Sequence, residues 1–157
     1  MSSSSRKVTD RPMRTFTYTE HMDRPPAEVF SFMMDFDKAS RWRNLVRRVE
    51  VVGGGPPREG AQLRITFDAL GETRQAVSTL WAYDPPRHIG QRNTDSGITG
   101  TFEYHLEPDG DGTKVVFTAD VRPHGFMWLV FPFLLRQHRA RYRDQLKNLK
   151  RAIETER

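Results

Sequence analysis

The sequence predicts one α+β domain in which a curved seven-stranded antiparallel sheet wraps around a long C-terminal helix. The chain has 157 residues, the size of a single domain. Seven segments are typical of strands, and short turns join the last six of them, which favours an antiparallel meander. One C-terminal segment instead repeats apolar residues at helical spacing. That helix alone is available to cover the apolar face of the sheet.

The domain is expected to begin at residue 14 and to run to residue 157. Residues 1–13 are predicted to form a flexible N-terminal tail, because Ser2–Ser5 is followed by basic residues and the segment has no apolar core. The same lack of an apolar core indicates that this segment is not a secretory signal.

One strand and two short helices open the domain. Arg14–Met22 alternates β-branched or polar residues with aromatic ones at a period of two, which predicts a strand. Pro25-Pro26 ends this strand and favours the first turn of a helix. That helix has a buried face between Val29 and Met34, and a second short helix is predicted near Asp37 to Arg43.

Six further strands complete the predicted sheet. Proline and glycine turns such as Asp84-Pro85-Pro86 and the segment from Glu107 to Gly112 separate them. The predicted strands are Val46–Val52, Ala61–Ala69, Thr73–Tyr83, His88–Asn93, Thr99–Leu106 and Lys114–Val121.

The last segment predicts a long amphipathic helix. Its apolar stripe has residues three or four positions apart, at Leu135, His138, Tyr142, Leu146, Leu149 and Ile153. Pro132 is expected in the first turn, with residues 126–131 forming a separate cap or short helix.

The composition excludes several classes of function. The chain has no cysteine, so it has no disulfide framework, thiolate metal site or cysteine nucleophile. This fits a reducing compartment, and a cytoplasmic location is expected. No segment has the roughly 18 consecutive apolar residues of a membrane span. The five histidines lack a metal-ligand spacing, and no glycine-rich phosphate loop precedes a helix, so neither a metal nor a cofactor is predicted.

The net charge of +5 is concentrated in residues 136–157, which hold eight basic and three acidic residues. This segment could attract an anionic partner, or it could be the solvated face of a helix; no nucleic-acid partner is expected. The apolar run Phe126–Leu135 beside it could contact a membrane surface or form a homodimer patch, and a monomer is equally compatible. A second basic cluster lies around Trp42 and consists of Arg41, Arg43, Arg47 and Arg48. It could guide an acidic ligand or a membrane to the mouth of a cavity, or it could be a solvated face.

These landmarks together resemble a known superfamily. The sequence is similar to the START/Bet v 1-like superfamily (SRPBCC) in four segments. They are the opening strand into Pro25–Phe30, the segment Asp35 to Trp42, the hairpin Leu106–Thr113 and the closing helix Tyr142–Ile153. Within it the chain resembles the bacterial polyketide cyclase/dehydratase-like proteins. The resemblance implies a helix-grip fold with a hydrophobic cavity between the sheet and the long helix. It also implies binding of a lipid-, sterol- or aromatic polyketide-like ligand, with a cyclase or dehydratase activity as the alternative.

Alternation along the strands predicts which residues line that cavity, although most of them could equally be core. Gln91 and Asn93 share the inward face with Ile89 and could fix a ligand carbonyl, or they could lie at the rim and bond to backbone. The predicted ligand-binding residues are Tyr18, Phe67, Trp81, Tyr83, Gln91, Asn93, Phe102, Tyr104, Phe117, His138 and Tyr142.

An enzyme would need an acid or base within reach of the ligand. Glu20 shares the inward face of strand one, so it is a candidate general acid or base, unless the strand is an edge or an arginine pairs with it. His138 and Tyr142 lie one turn apart on the helix stripe and could reach the cavity from the other side, or His138 could be a core histidine. These three residues are the candidate catalytic set.

Overall fold

The structure is a computed structural model that describes residues 14–95 and 97–156. The tail predicted for residues 1–13 lies outside the described residues. Within the described chain, no helix is both long enough and apolar enough to cross a bilayer.

Seven antiparallel strands form one sheet in the order β1-β7-β6-β5-β4-β3-β2. The strands are β1 (Arg14–Met22), β2 (Val46–Val51), β3 (Gln62–Ala69), β4 (Glu72–Asp84), β5 (His88–Asp95), β6 (Ile98–Asp109) and β7 (Gly112–Pro123). Consecutive strands from β2 to β7 pair with each other, and β1 pairs with β7. The predicted α+β architecture and the antiparallel meander are therefore confirmed.

Three helical segments accompany the sheet. Helix α1 (Pro26–Met34) begins with the predicted proline turn. A short 3-10 helix (Phe36–Arg41) follows it, and the Asp35 side chain accepts a hydrogen bond from the Asp37 backbone N–H at its start. This element is the second short helix predicted near Asp37 to Arg43, and it ends two residues earlier than expected.

Helix α2 (Met127–Thr155) is continuous, so the separate short helix predicted for residues 126–131 is wrong. Pro132 lies inside α2, in its second turn, and its ring nitrogen cannot donate to the carbonyl of Trp128. Trp128 is half exposed, so water can satisfy that carbonyl and the helix continues.

The core lies between the inner face of the sheet and α2. Leu146, Leu149 and Ile153 of the predicted stripe are buried there. Met22 and Val115, which are completely buried, face them from the sheet, and α1 contributes Val29 and Phe30. Because one helix covers a seven-stranded sheet, this packing fills only part of the space that the sheet encloses.

Candidate functional site

A cavity of about 300 Å³ lies between the inner face of the sheet, the segment after the 3-10 helix and the middle of α2. The sheet contributes residues from β2 to β7, and α2 contributes the opposite wall. Its lining residues are Arg43, Asn44, Leu45, Val46, Ile65, Phe67, Asp68, Ala69, Ala76, Val77, Gln91, Asn93, Phe102, Tyr104, Phe117, Arg141, Tyr142 and Gln145.

Aromatic rings form the apolar part of the wall. Phe102 lies with its ring centroid 5.1 Å from that of Tyr142 and 6.3 Å from that of Phe117. The Phe102 ring folds back over Gly100, where a Cβ atom would come within 2.5 Å of it. Glycine at this position therefore provides the space for the ring, and a flat ligand would find several aromatic faces within reach.

Three buried polar atoms in the cavity wall have no hydrogen-bond partner within residues 14–95 and 97–156. They are Nε of Arg43, Nε2 of Gln91 and Oδ1 of Asn93. Gln91 and Asn93 are neighbours on the inner face of β5, opposite Phe102 and Gly100 of β6. An unpartnered buried polar group is costly, and native proteins contain few of them. The cluster therefore points to a bound molecule that supplies the missing partners.

Of Arg43, Gln91 and Asn93, only Arg43 carries a positive charge, and its residue is 8% exposed. Its backbone N–H donates to the carbonyl of Ala39, and its guanidinium lies 4.8 Å from the centre of the Trp42 ring. No carboxylate among the described residues forms a salt bridge with it. Burial lowers the pKa of Arg43, and the neighbouring Tyr104 partly offsets this effect. A buried guanidinium without a counter-ion is a site for an oxygen-bearing or anionic group.

Two tyrosine hydroxyls face the same space. The Tyr104 hydroxyl accepts a hydrogen bond of 3.3 Å from Nε2 of Gln145. Burial raises the pKa of Tyr104, and burial together with the neighbouring Tyr104 raises the pKa of Tyr142. Both side chains are therefore neutral phenols near neutral pH, suited to donating or accepting hydrogen bonds rather than to serving as a base.

The segment that carries Arg43 is fastened to α2 by the next residue. Nδ2 of Asn44 donates to the carbonyl of Arg141 at 3.0 Å, and its Oδ1 accepts from Nδ2 of Asn148 at 2.8 Å. Leu45 then adopts a left-handed backbone conformation, with φ 63°, and is half exposed. This turn forms one edge of the cavity.

Asp68, the acidic residue of the cavity lining, already forms an ion pair with Arg47. Nε of Arg47 donates to Oδ2 of Asp68 at 2.8 Å, and this bond lowers the pKa of the Asp68 carboxyl. Thr73 donates a second bond to the same carboxyl. Asp68 therefore does not cancel the charge of Arg43.

The structure brings together most of the residues predicted to bind ligand. Gln91 and Tyr142 lie on opposite walls of the cavity. The predicted residues in the lining are Phe67, Gln91, Asn93, Phe102, Tyr104, Phe117 and Tyr142.

Three predicted ligand-binding residues lie elsewhere. Tyr18 packs beside Phe16, and Tyr83 packs edge-on against Phe30 of α1. Trp81 lies on the outer face of the sheet against His88, because the register of β4 shifts between Leu80 and Ala82. This bulge reverses the alternation on which the inward placement of Trp81 rests.

Two of the three candidate catalytic residues, Glu20 and Tyr142, have described side chains. Glu20 is on the inner face of β1, opposite Val115, as the alternation predicts, but it lies outside the cavity lining. Tyr142 is in the lining. The side chain of His138 is not among those that the structure describes, so its catalytic and ligand-binding roles remain predictions.

The sequence pattern did not single out the buried role of Arg43. It grouped Arg43 with Arg41, Arg47 and Arg48 as one basic cluster, yet those three are exposed. Gln145 and Asn44 were also missed. The one signal in the sequence was the position of Arg43 beside Trp42, a residue type that is usually buried in part.

A larger depression of about 630 Å³ lies between α1 and the end of α2. The charged side chains of its lining are already paired, since Arg24 contacts Glu28 and Lys38 contacts both Asp35 and Glu156. This open groove therefore lacks the unpartnered atoms that distinguish the inner cavity.

A curved antiparallel sheet around one long helix, with a cavity between them, defines a helix-grip ligand-cavity protein. The chain belongs to the family described as polyketide cyclase / dehydrase and lipid transport, whose profile matches residues 13–154. This confirms the superfamily predicted from the sequence landmarks. Membership gives a general role in ligand binding or cyclase chemistry.

Solved structures share the fold at low sequence identity. The protein TTHA0849 from Thermus thermophilus is 18% identical, with a TM-score of 0.70 over 89% of this chain and 97% of that one. The di-domain ARO/CYC BexL from the BE-7585A biosynthetic pathway is 18% identical, with a TM-score of 0.73 over 94% of this chain and 52% of that one. Zhui aromatase/cyclase from Streptomyces sp. R1128 is 21% identical, with a TM-score of 0.59 over 73% of this chain and 70% of that one. A comparison with curated protein sequences finds no match.

Proposed function

We propose that the protein binds a small, largely apolar ring compound that carries oxygen atoms, in the cavity between the sheet and α2. The observation that carries this proposal is the set of three unpartnered polar atoms within an aromatic wall. Such a wall accepts the rings of the ligand, and the polar atoms fix its orientation.

The donor and acceptor types define the ligand further. Arg43 and Gln91 offer N–H donors, so they require a carbonyl, phenolate or carboxylate oxygen. Oδ1 of Asn93 is an acceptor, so it requires a hydroxyl on the same ligand. An aromatic polyketide-like molecule has oxygens of both kinds around flat rings, whereas a saturated lipid or a sterol has fewer. A volume of about 300 Å³ suits a compact ligand.

Among the candidate acid and base groups whose side chains are described, Glu20 and Tyr142, the geometry favours binding over catalysis. Glu20 is outside the lining, and the phenols of Tyr104 and Tyr142 are neutral. A cyclase or dehydratase reaction would thus depend on orientation and hydrogen bonding by Arg43, Gln91 and Tyr142. Turnover of an aromatic polyketide precursor by the wild type and its loss in Tyr142→Phe would favour the enzyme instead.

Two fluorescent probes with the same rings test the proposal. 1-Anilinonaphthalene-8-sulfonate carries an anionic group, and N-phenyl-1-naphthylamine lacks it. We expect Arg43→Met to weaken binding of the sulfonate by roughly 30-fold, since a hydrogen bond to a charged group contributes about 2 kcal/mol. Binding of the neutral probe should be unchanged. Both affinities are measured by fluorescence titration of the full chain.

Arg47→Met is the matched control, because Arg47 is exposed and already paired with Asp68. It should leave both affinities at the wild-type value. Equal losses of both probes in Arg43→Met would mean that Arg43 maintains the cavity rather than contacting the ligand. Unchanged binding of the sulfonate would place the ligand outside this cavity.

A second candidate function is contact with an anionic membrane surface. The observation that favours it is a group of exposed apolar side chains at the start of α2: Phe126, Trp128, Leu129 and Phe133, of which Phe133 is 82% exposed. The exposed residues Arg136, Arg139, Arg141 and Arg143 follow on the same helix. Aromatic residues beside arginines suit the interface of a bilayer that contains anionic lipid.

Vesicle flotation tests this contact. The wild type should float with vesicles that contain phosphatidylserine, and Leu129→Ser with Phe133→Ser should reduce the floating fraction. The matched control is Leu70→Ser, which removes another exposed leucine, 90% exposed, from the β3–β4 turn. The proposal would be contradicted if the wild type did not float, or if the double variant floated as much as the wild type and Leu70→Ser.

A further inference from the structure

The outer face of the sheet, away from the cavity, holds a cluster of two histidines and one glutamate. His88 of β5 and His105 of β6 are directly opposite each other in the register. Their rings are nearly parallel, with centroids 4.2 Å apart and an angle of 11° between the planes. Glu103 is on the same face of β6, two residues before His105.

Both imidazoles direct Nε2 toward one carboxylate oxygen. The distance from Oε1 of Glu103 is 3.0 Å to Nε2 of His88 and 3.8 Å to Nε2 of His105. One ligand atom from each residue lies within 4.8 Å of the other two. A metal–ligand distance of about 2.0–2.2 Å places two ligands of one ion roughly 3–3.5 Å apart. Small rotations that open the stacked rings would therefore bring all three atoms to one ion.

The sheet supports one side of this cluster. The Trp81 indole stands edge-on to His88, with centroids 5.7 Å apart. Gly90 leaves the space for this indole, because a Cβ atom there would lie 2.5 Å from it. His88 and Glu103 are half-buried, while His105 is 47% exposed, so an ion could enter from the side of His105.

We propose that His88, Glu103 and His105 bind a first-row transition-metal dication such as Zn²⁺, Ni²⁺ or Cu²⁺. Two imidazoles and one carboxylate suit these ions and leave positions for water. Metal-ligand spacing along the chain does not show this site, because the three residues come together only through the pairing of β5 with β6. The site is separate from the ligand cavity, so its failure would leave the proposed function intact.

Titration of the full chain with Cu²⁺ tests the site, with calorimetry for affinity and tryptophan emission for location. The wild type should bind one ion, and Cu²⁺ next to His88 should quench Trp81. His105→Ala and Glu103→Gln should each weaken binding by about 100-fold or more, because even outer-shell partners change metal affinity by roughly 10- to 100-fold. Trp81→Phe should keep much of the Cu²⁺ affinity measured by calorimetry. It should lose the part of the fluorescence quenching that comes from Trp81.

His21→Ala is the matched control, since His21 is also an exposed histidine beside a carboxylate, that of Asp109, but without a second imidazole. It should bind Cu²⁺ as the wild type does. Zn²⁺ should also raise the melting temperature of the wild type and not that of His105→Ala, because a ligand that binds only the folded state stabilises it. Wild-type affinity in both His105→Ala and Glu103→Gln, or no saturable binding to the wild type, would overturn the proposal.

Discussion

At the scale of single residues, Arg43 links the chemistry of the cavity to the stability of the fold. It is a buried cation whose guanidinium carbon lies 4.8 Å from the centre of the Trp42 ring. A cation–π contact contributes only about 0.5–2 kcal/mol, which is less than the cost of burying a charge without a counter-ion. If Arg43 binds a ligand as we propose, its burial is expected to lower the stability of the protein without ligand.

We therefore expect Arg43→Met to stabilise the protein without ligand, by about 1 kcal/mol, because methionine has a similar length and no charge to desolvate. Urea unfolding of the full chain measures the change, with Arg41→Met as the exposed control. A lower free energy of unfolding in Arg43→Met would show that Arg43 is an internal structural contact, and it would weaken the case for a ligand there.

The burial of a residue was predictable from the sequence where the residue lies on a strand of alternating apolar and polar residues. It was not predictable for residues in a loop. Phe67, Phe102 and Phe117 are in the cavity lining because each shares the apolar face of a regular strand. Arg43 follows the 3-10 helix, and its burial depends on the attachment of Asn44 to α2, about 100 residues later in the chain. A local pattern contains no information on such a long-range contact.

At the scale of elements, the irregularities decide which side chains face the cavity. The shift in β4 between Leu80 and Ala82 keeps Leu80 inside and sends Trp81 to the outer face. Apolar residues occupy several consecutive positions there, so either register of alternation fits the sequence. The position of the bulge follows from pairing with β5, which the sequence of β4 alone does not specify.

The conformation of Phe102 on β6 gives a prediction for the whole wall. In Gly100→Ala the new Cβ atom would lie 2.5 Å from Cζ of Phe102, so the ring must move away from its own strand. We expect this movement to weaken binding of N-phenyl-1-naphthylamine by roughly tenfold, since crowding of this kind costs about 1–3 kcal/mol. Fluorescence titration measures the loss.

Gly90→Ala is the control for this substitution. It produces an equally close contact, 2.5 Å, but with Trp81 on the outer face of the sheet. It should disturb the His88 cluster and leave the probe affinity at the wild-type value. If the two variants lost affinity equally, general destabilisation rather than the position of Phe102 would be responsible.

At the scale of the whole molecule, the order of elements was the strongest information in the sequence. Six strands with short turns fix an antiparallel meander, and the 29-residue helix α2 has one apolar stripe to place on it. The continuity of α2 through Pro132 was not predicted, because the exposed start of the helix tolerates a missing hydrogen bond. The size of the cavity depends on how side chains such as Phe102 fold back, which only the packed structure specifies.

The pairing of β1 with β7 also sets the order of events during synthesis. Thr17 lies opposite Thr118, a separation of 101 residues, so β1 cannot pair until β7, the last strand of this sheet along the chain, has been made. The meander from β2 to β7 can form before then through local hairpins, which close quickly. Until β7 emerges, β1 lacks its pairing partner and is available to chaperones. Completion of the sheet therefore depends on β7, and α2, which follows β7 in the chain, can cover the sheet only after that.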